Sequence, residues 1–278
     1  MKLELKKFDI TQITDDKVVV MIGKRNTGKS FLIRDLLYHH TDLPIGTVIS
    51  GTESANHFYG SMVPKVLIHD EYKSGVIENA VKRQKMILKK INKENATFRG
   101  TRQSQIDPRA FVILDDCLYD SSWTKDTNVR SMFMNGRHLK FFFIISMQYP
   151  LGIPPNLRTN IDYIFILREN IVANRKRIYD NYAGMFPTFE IFCQVMNQCT
   201  ENYECLVIDN TTKSNKLEDT VFWYKAESHG DFKICLPYYW EVSKSIKDED
   251  DDIEDDYDPN KLKNRRGPRI RVEKTKKN

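Results

Sequence analysis

Gly23, Lys24, Arg25, Asn26, Thr27, Gly28, Lys29 and Ser30 fit the spacing G-x-x-x-x-G-K-[ST] and lie between an apolar run, Val18–Ile22, and an amphipathic stretch, FLIRDLLYHH. Glycines at both ends of such a loop let the backbone turn with its N–H groups pointing inward, and the helix that follows adds its positive end. A polyphosphate therefore meets a ring of donors. Lys29 contributes a point charge suited to β and γ phosphates, and the Ser30 hydroxyl is an oxygen ligand of the kind Mg2+ takes. ATP with Mg2+ is the cofactor pair this loop leads us to expect.

Two further apolar runs end in polar side chains. Phe111-Val-Ile-Leu-Asp115-Asp116 stops in two carboxylates, and the carboxyl ends of parallel strands are where open α/β sheets bind ligands. Asp115 is the expected metal ligand and Asp116 the expected general base that polarises an attacking water. Phe141–Ser146 leads into Met147-Gln148-Tyr149-Pro150, which makes Gln148 a candidate sensor of the terminal phosphate. Arg137, in Gly136-Arg137-His138 just before that run, is a candidate for stabilising transition-state charge on a neighbouring subunit's nucleotide.

These groups need a scaffold of alternating strands and helices. Val18–Ile22, Thr47–Ser50, Lys65–Ile68, Phe111–Leu114, Phe141–Ser146 and Tyr163–Leu167 read as buried strands, with Cys205–Asp209 and Phe232–Leu236 as later ones. Helical patterns separate them, notably Lys29–Tyr38 and Gly75–Asn95. The expectation is an α/β fold with a mostly parallel central sheet flanked by helices on both faces. Tyr182–Phe192 reads as core aromatics.

The chain has 278 residues, 40% of them apolar, with 43 Lys and Arg against 38 Asp and Glu. That balance excludes a wholly disordered or collagen-like chain, and no apolar run approaches the roughly 20 residues a bilayer span needs. The opening MKLELKKFDI carries no signal-type apolar core, so the chain is expected to remain where it is made with its thiols reduced. Cys193, Cys199 and Cys205 recur at equal steps but match no familiar zinc spacing, and ordinary thiols are expected. Residues 248–258 are dense in carboxylates and 261–278 in basic groups. We therefore expect an ATPase domain over 1–246 and a disordered acidic-then-basic tail over 247–278.

The ordered set GKRNTGKS (23–30), FVILDDC (111–117), NGRH (135–138), IISMQYP (144–150) and PPNLRTNIDYIFILREN (154–170) resembles the virion DNA-packaging ATPases of large cytoplasmic DNA viruses, the poxvirus-type members of the FtsK/HerA motor group. The resemblance covers residues 15–210 and implies a RecA-like core, a homo-oligomeric ring, and ATP hydrolysis coupled to moving double-stranded DNA into a capsid. Capsid or portal proteins are implied as partners, and the host cytoplasm at the virus assembly site, with the virion, as the location. It assigns phosphate and Mg2+ to Lys29 and Ser30, the metal to Asp115, the catalytic acid position to Asp116 and the sensor to Gln148. Arg137 becomes the leading finger, with Arg158 and Arg168 as rivals. The wider group usually has Glu where Asp116 stands, one methylene longer.

A DNA motor needs a basic surface. Within Gly75–Arg102, Lys82, Lys85, Lys89 and Lys93 share one helical stripe, and Ile77, Val81, Leu88 and Ile91 lie near the other face. A solvated helix face is the plainer reading, and a strip that follows DNA phosphates without reading bases is the functional one. Two alternatives use the same phosphate loop, a small-molecule or nucleoside kinase and a nucleotide-dependent assembly scaffold. A GTPase would carry Asn-Lys-x-Asp after a strand, and Asn92-Lys93-Glu94-Asn95 lacks the final Asp.

Overall fold

The computed structural model describes residues 3–98, 102–117 and 121–250. In chain order it has β1 (Val18–Ile22), α1 (Lys29–Tyr38), β2 (Gly46–Ser50), α2 (Glu53–Asn56), β3 (Ile68–His69), α3 (Ser74–Phe98), β4 (Ala110–Asp115), α4 (Thr127–Asn135), β5 (Phe141–Met147) and α5 (Pro155–Arg158). Then follow β6 (Tyr163–Ile166), α6 (Val172–Tyr182), α7 (Phe189–Cys199), β7 (Glu204–Asp209), α8 (Leu217–Thr220), β8 (Val221–Lys225) and α9 (Pro237–Asp250). The strands form one eight-stranded sheet in the order β3-β2-β4-β5-β1-β6-β7-β8. Neighbours from β3 to β6 run parallel, and β7 and β8 are antiparallel.

The fully buried strands explain the α/β layering. Every residue of β1, β2, β4, β5 and β6 is buried, as a parallel sheet covered on both faces requires. Alternate side chains enter two separate cores. Val18, Val20, Val112, Leu114, Phe143 and Ile145 pack beneath α3, α4, α6 and α7, whereas Val19, Met21, Ile113, Phe142 and Ile144 pack against α1 and the segments around Leu43, Met62 and Ile234. Tyr182, Phe186 and Phe192 are buried in the first core, as expected for that aromatic stretch.

Two strand expectations are corrected. Lys65–Leu67 is a turn of 3-10 helix, closed by the Leu67 amide on the Pro64 carbonyl, and the Val66 amide donates to Ser243 Oγ; only Ile68 and His69 pair with β2. Phe232–Leu236 is not a strand either. Its amides at Ile234, Cys235 and Leu236 donate to the carbonyls of Met62, Leu43 and Pro44, so the segment braces loops across the second core. The edge strand β8 has no counterpart among the sequence expectations, its pattern being half exposed. α9 continues to Asp250, past the expected domain boundary at 246, and residues 251–278 of the predicted tail lie outside the described residues. Among the described residues no helix is long and apolar enough to cross a membrane. Cys193, Cys199, Cys205 and Cys235 are free thiols.

α3 has an unusual split. Its buried residues, Ile77, Ala80, Val81 and Gln84, all lie in its first half, and Gln84 donates to the Pro108 and Leu139 carbonyls at 2.5 and 2.9 Å. Lys82, Lys85, Lys89 and Lys93 are exposed, as the helical stripe predicts.

Gly46 on β2 has no room for a side chain, since a Cβ there would lie 2.0 Å from the Phe111 ring, whereas a Cβ on Gly75 in the first turn of α3 would meet nothing. Gly46→Ala should destabilise the fold by about 1–3 kcal/mol through overpacking. Gly75→Ala should be neutral or stabilise by up to about 1 kcal/mol. Urea unfolding of both variants beside the native chain checks the contrast.

Candidate functional site

The strand register builds the site. Ile22 on β1 pairs with Met147 on β5, and Ser146 on β5 pairs with Asp115 on β4. The next residues along, Gly23, Gln148 and Asp116, therefore emerge together at the carboxyl edge of three adjacent strands. Two hydrogen bonds lock the row: the Gly23 amide donates to the Met147 carbonyl at 3.0 Å, and the Asp116 amide to the Ser146 carbonyl at 3.2 Å. β5 and β6 flank β1, so the loop after β1 sits where the strand order reverses, the usual ligand crevice of such sheets.

The loop is shaped by close approach and backbone sign. A Cβ on Gly23 would come within 2.6 Å of Thr27 Oγ1 and 2.8 Å of Leu167 Cβ. Asn26 and Gly28 have φ of 60° and 103°, and Gly28 caps the start of α1. Thr27 Oγ1 donates to the Lys24 carbonyl at 2.8 Å, and Lys29 Nζ donates to the carbonyls of Gly23 and Lys24 at 2.7 and 3.1 Å. Lys29 is only 7% exposed. Burial lowers its pKa below the ordinary lysine value, and Asp116 and Asp115 oppose that shift.

Asp115 is 6% exposed. Burial, the largest influence, raises its pKa above the ordinary aspartate value and the Asp116 charge adds to it, while the hydroxyls of Ser146 and Tyr59 and the Lys29 ammonium act the other way. Ser50 Oγ lies 3.5 Å from Asp115 Oδ2. The buried hydroxyls of Tyr59 and Ser146 face this carboxylate, and neither makes a hydrogen bond of ordinary geometry. Asp116 has φ of 53°, and its Oδ2 accepts from Gln148 Nε2 at 2.5 Å. Lys24, Arg25, Asn26, Lys29, Ser30 and the two aspartates line one cavity of about 570 Å3, together with Thr52, Asn56 and Tyr203.

The arginines divide. Arg137 lies at the opposite edge, where its guanidinium meets Asp162 at 3.4 Å and Asp16 at 4.0 Å while staying 59% exposed. Arg158 is engaged by the Ile153 carbonyl, Asn181 Oδ1 and the Tyr182 ring. Arg168 follows β6 and Leu167 at the same edge as the loop and is exposed, its Nε donating to Asn170 Oδ1 at 3.2 Å.

Sequence reasoning missed several side chains here. Glu169, 4% exposed, ties the loop to the start of α6: Lys24 Nζ meets its Oε1 at 2.7 Å, the Ile171 amide donates to the same oxygen, and Asn174 donates to Oε2. Glu53 is likewise buried and accepts the amides of Tyr59 and Gly60 at 2.8 and 2.7 Å, which fixes Tyr59 beside Asp115. Glu53 lies in no quoted motif, and Glu169 lies within the run 154–170 without a role assigned to it. A charged residue just beyond an apolar strand was the only signal for Glu169.

No protein-family model matches the chain. It is 42% identical over 226 residues to the "Uncharacterized protein L437" of Acanthamoeba polyphaga mimivirus, spanning 81% of this chain and 78% of that one. With the "Uncharacterized protein 088R" of Invertebrate iridescent virus 3 it shares 41% identity over 235 residues, 82% of this chain and 85% of the relative. The chain belongs to the family of these viral proteins. Among solved structures, this chain is similar to the genome packaging NTPase B204 of Sulfolobus turreted icosahedral virus 2 in complex with AMP, at a TM-score of 0.53 and 14% identity, covering 78% of this chain and 100% of that one. It is also similar to the pCW3 conjugation coupling protein TcpA with ATPγS, at a TM-score of 0.51 and 12% identity, over 87% of this chain and 66% of the other. The chain therefore shares the fold of these proteins, a mostly parallel sheet with flanking helices.

Hydrogen bonds and the Lys24 ammonium hold the Glu169 carboxyl below the ordinary glutamate value of 4.5, outweighing its burial, the largest single influence, which acts upward. A lowered native pKa means that the stabilisation is present above the unfolded value and is lost as pH falls through the native one. Glu169→Gln should cost roughly 1–3 kcal/mol at neutral pH. Thermal unfolding against pH should show native and variant converging below pH 4.5.

Proposed function

We propose that this chain is an ATP-hydrolysing motor subunit that moves double-stranded viral DNA into a capsid, acting in a homo-oligomeric ring. The observation that carries the reading is the convergence of Lys29, Ser30, Asp115 and Asp116 around one cavity, with Gln148 hydrogen-bonded to Asp116 from the strand beside the loop. The fold shared with a genome packaging NTPase supports it, as do relatives encoded by viruses.

In this reading the amides of Gly23–Ser30 and the start of α1 cradle the phosphates, and Lys29 leaves its loop carbonyls for the β and γ oxygens. Ser30 and Asp115 are the residues that would hold Mg2+. The fit is chemical: a buried carboxylate, an exposed hydroxyl and the unsatisfied hydroxyls of Ser146 and Tyr59 form an all-oxygen surround that suits a hard, partly hydrated cation. When bound, Mg2+ neutralises charge on the phosphate oxygens. Asp116 accepts the proton of the attacking water, and the Gln148 amide orients its carboxylate and faces the terminal phosphate from the strand beside the loop. Arg137, exposed and far from its own subunit's loop, serves a neighbour's nucleotide in trans.

DNA is gripped through phosphates along the exposed stripe of α3. Contacts of these lysines with phosphates carry no sequence information, so binding is independent of sequence. Capsid or portal proteins are the partners that receive the DNA, and the assembly site in the host cytoplasm is where the motor works.

Measuring phosphate release against duplex DNA concentration tests the proposal. The native chain should be stimulated by DNA. Lys29→Ala should lose nucleotide binding, and Asp116→Asn should retain ATP while its turnover falls at least a hundredfold. An Asp116→Asn variant of native rate would remove Asp116 from the chemistry.

Reversing charge at Lys85 and Lys89 addresses the DNA strip separately. Each DNA phosphate that the variant no longer neutralises should reduce the magnitude of the slope of log affinity against log salt by about 0.9. An unchanged slope would leave α3 as a solvated face.

A further inference from the structure

The end of α1 remote from the phosphate loop gathers three side chains of the types that bind metals. Asp35 lies within α1 and His39 caps its C-terminal end, four residues on, so the two share a helix face. His229 comes from the segment that follows β8. One ligand atom of each of the three lies within 4.8 Å of the other two.

Asp35 is fully buried, and its carboxylate is divided. Oδ2 accepts the Tyr224 hydroxyl at 2.6 Å and the Glu227 amide at 3.1 Å. Oδ1 faces the imidazoles, with His229 Nε2 at 2.6 Å and His39 Nε2 at 3.6 Å. The second distance is beyond a hydrogen bond. Three hydrogen bonds already satisfy the carboxylate, so a purely structural hub does not explain why a second histidine turns the same nitrogen to the same oxygen.

A metal does explain it. Zinc bonds of about 2.0–2.2 Å in tetrahedral geometry put neighbouring ligand atoms roughly 3.3 Å apart. The observed 2.6 and 3.6 Å bracket that spacing, and side-chain shifts of roughly 1 Å would reach it. Both rings are held from outside, as metal-binding histidines commonly are. Tyr38 stacks on His229 with centroids 3.7 Å apart and planes 8° from parallel, and His39 meets His229 edge to face at 5.6 Å. His39 and Tyr224 also line a hollow of about 300 Å3 with Asp9, Thr11 and Glu227, which leaves a fourth position open to water. Lys7 offsets part of the negative charge there through its pair with Glu227 at 2.9 Å.

We propose that Asp35, His39 and His229 form a binding site for one divalent transition metal ion, zinc foremost, which pins the end of α1 to the segment after β8. Two imidazole nitrogens and one carboxylate oxygen favour zinc over Mg2+, which prefers oxygen ligands and keeps its waters. The site is therefore chemically distinct from Ser30 and Asp115, and it does not depend on the nucleotide reading. On binding, each Nε2 and Asp35 Oδ1 donate an electron pair to the ion. The proton shared by His229 and Asp35 is released to solvent, and Oδ2 keeps its bonds to Tyr224 and Glu227.

The test uses the full chain without an affinity tag, stripped of metal and then freed of chelator. Calorimetric titration with Zn2+ should give one ion per chain, and an excess of Mg2+ should not compete. Co2+ should produce the visible bands of a nitrogen and oxygen site without the near-ultraviolet absorption of a cobalt thiolate. His39→Ala leaves all three Asp35 hydrogen bonds in place and should weaken zinc binding at least a hundredfold. Zinc at a hundredfold excess over its Kd should raise the unfolding temperature of the native chain by about 5 °C and leave that of His39→Ala unchanged. Absence of zinc binding by the native chain, native affinity in His39→Ala, competition by Mg2+, or a thiolate band that places the ion on cysteine would each overturn the site. Should His39→Ala fail to fold, the cobalt spectrum and zinc stoichiometry of the native chain decide alone.

Discussion

Everything at this site depends on burying a cation and an anion at the same edge of a water-excluding sheet. Lys29 and Asp115 are 7% and 6% exposed, and charges so placed are costly unless neighbours replace the lost water. Here the replacement is uneven. Lys29 has two loop carbonyls, whereas Asp115 has one long contact from Ser50 and two hydroxyls that face it outside ordinary hydrogen-bond geometry. Burial lowers the lysine pKa and raises that of the aspartate. A site left with polar groups short of partners is poised for a charged ligand, and the two cores sealing the sheet faces maintain the low dielectric that makes the poise strong.

Backbone sign at the strand ends is the second constraint. Asn26, Gly28 and Asp116 all take left-handed φ at the carboxyl edge. That conformation costs about 1–2 kcal/mol for most residues and is tolerated best by Gly, Asn and Asp. The same preference bears on the aspartate at 116. A short side chain suits the left-handed turn that leads out of β4, and the Gln148 amide holds the carboxylate at 2.5 Å where a longer side chain would have to fold back.

The limb carrying the basic helix is joined to this edge by buried polar ties rather than by apolar packing alone. Glu53 fixes the turn that presents Tyr59 to Asp115. Asp126 accepts the hydroxyls of Tyr72 and Ser74 at 2.6 and 2.5 Å while capping α4, which binds the start of α3 to the sheet face. Gln84 fastens the middle of α3, and beyond it the described residues of the helix bury no side chain. The lysine row is thereby left exposed.

Much of this is legible in the linear chain. Residue type and spacing determined the loop after β1, because only Gly tolerates the crowding at position 23 and the positive φ at 28, and they determined the buried parallel strands, because both faces of such strands must be apolar. They also put Asp115, Asp116 and Gln148 at strand ends. What they left open was adjacency. That β5 lies between β1 and β4, bringing Gln148 onto Asp116, is a matter of register between segments far apart in the chain, and that Arg137 lies at the opposite edge from the loop follows from which end of β5 it precedes. Glu169 lies within the run 154–170 but had no role assigned there, Tyr59 lies outside every quoted run, and the contacts of both arise from loops that meet only after folding. The segments at 65–68 and 232–236 are strand-like in composition, but their amides found partners in a turn, a serine and loop carbonyls, and such competition between hydrogen-bond partners is settled by tertiary structure alone.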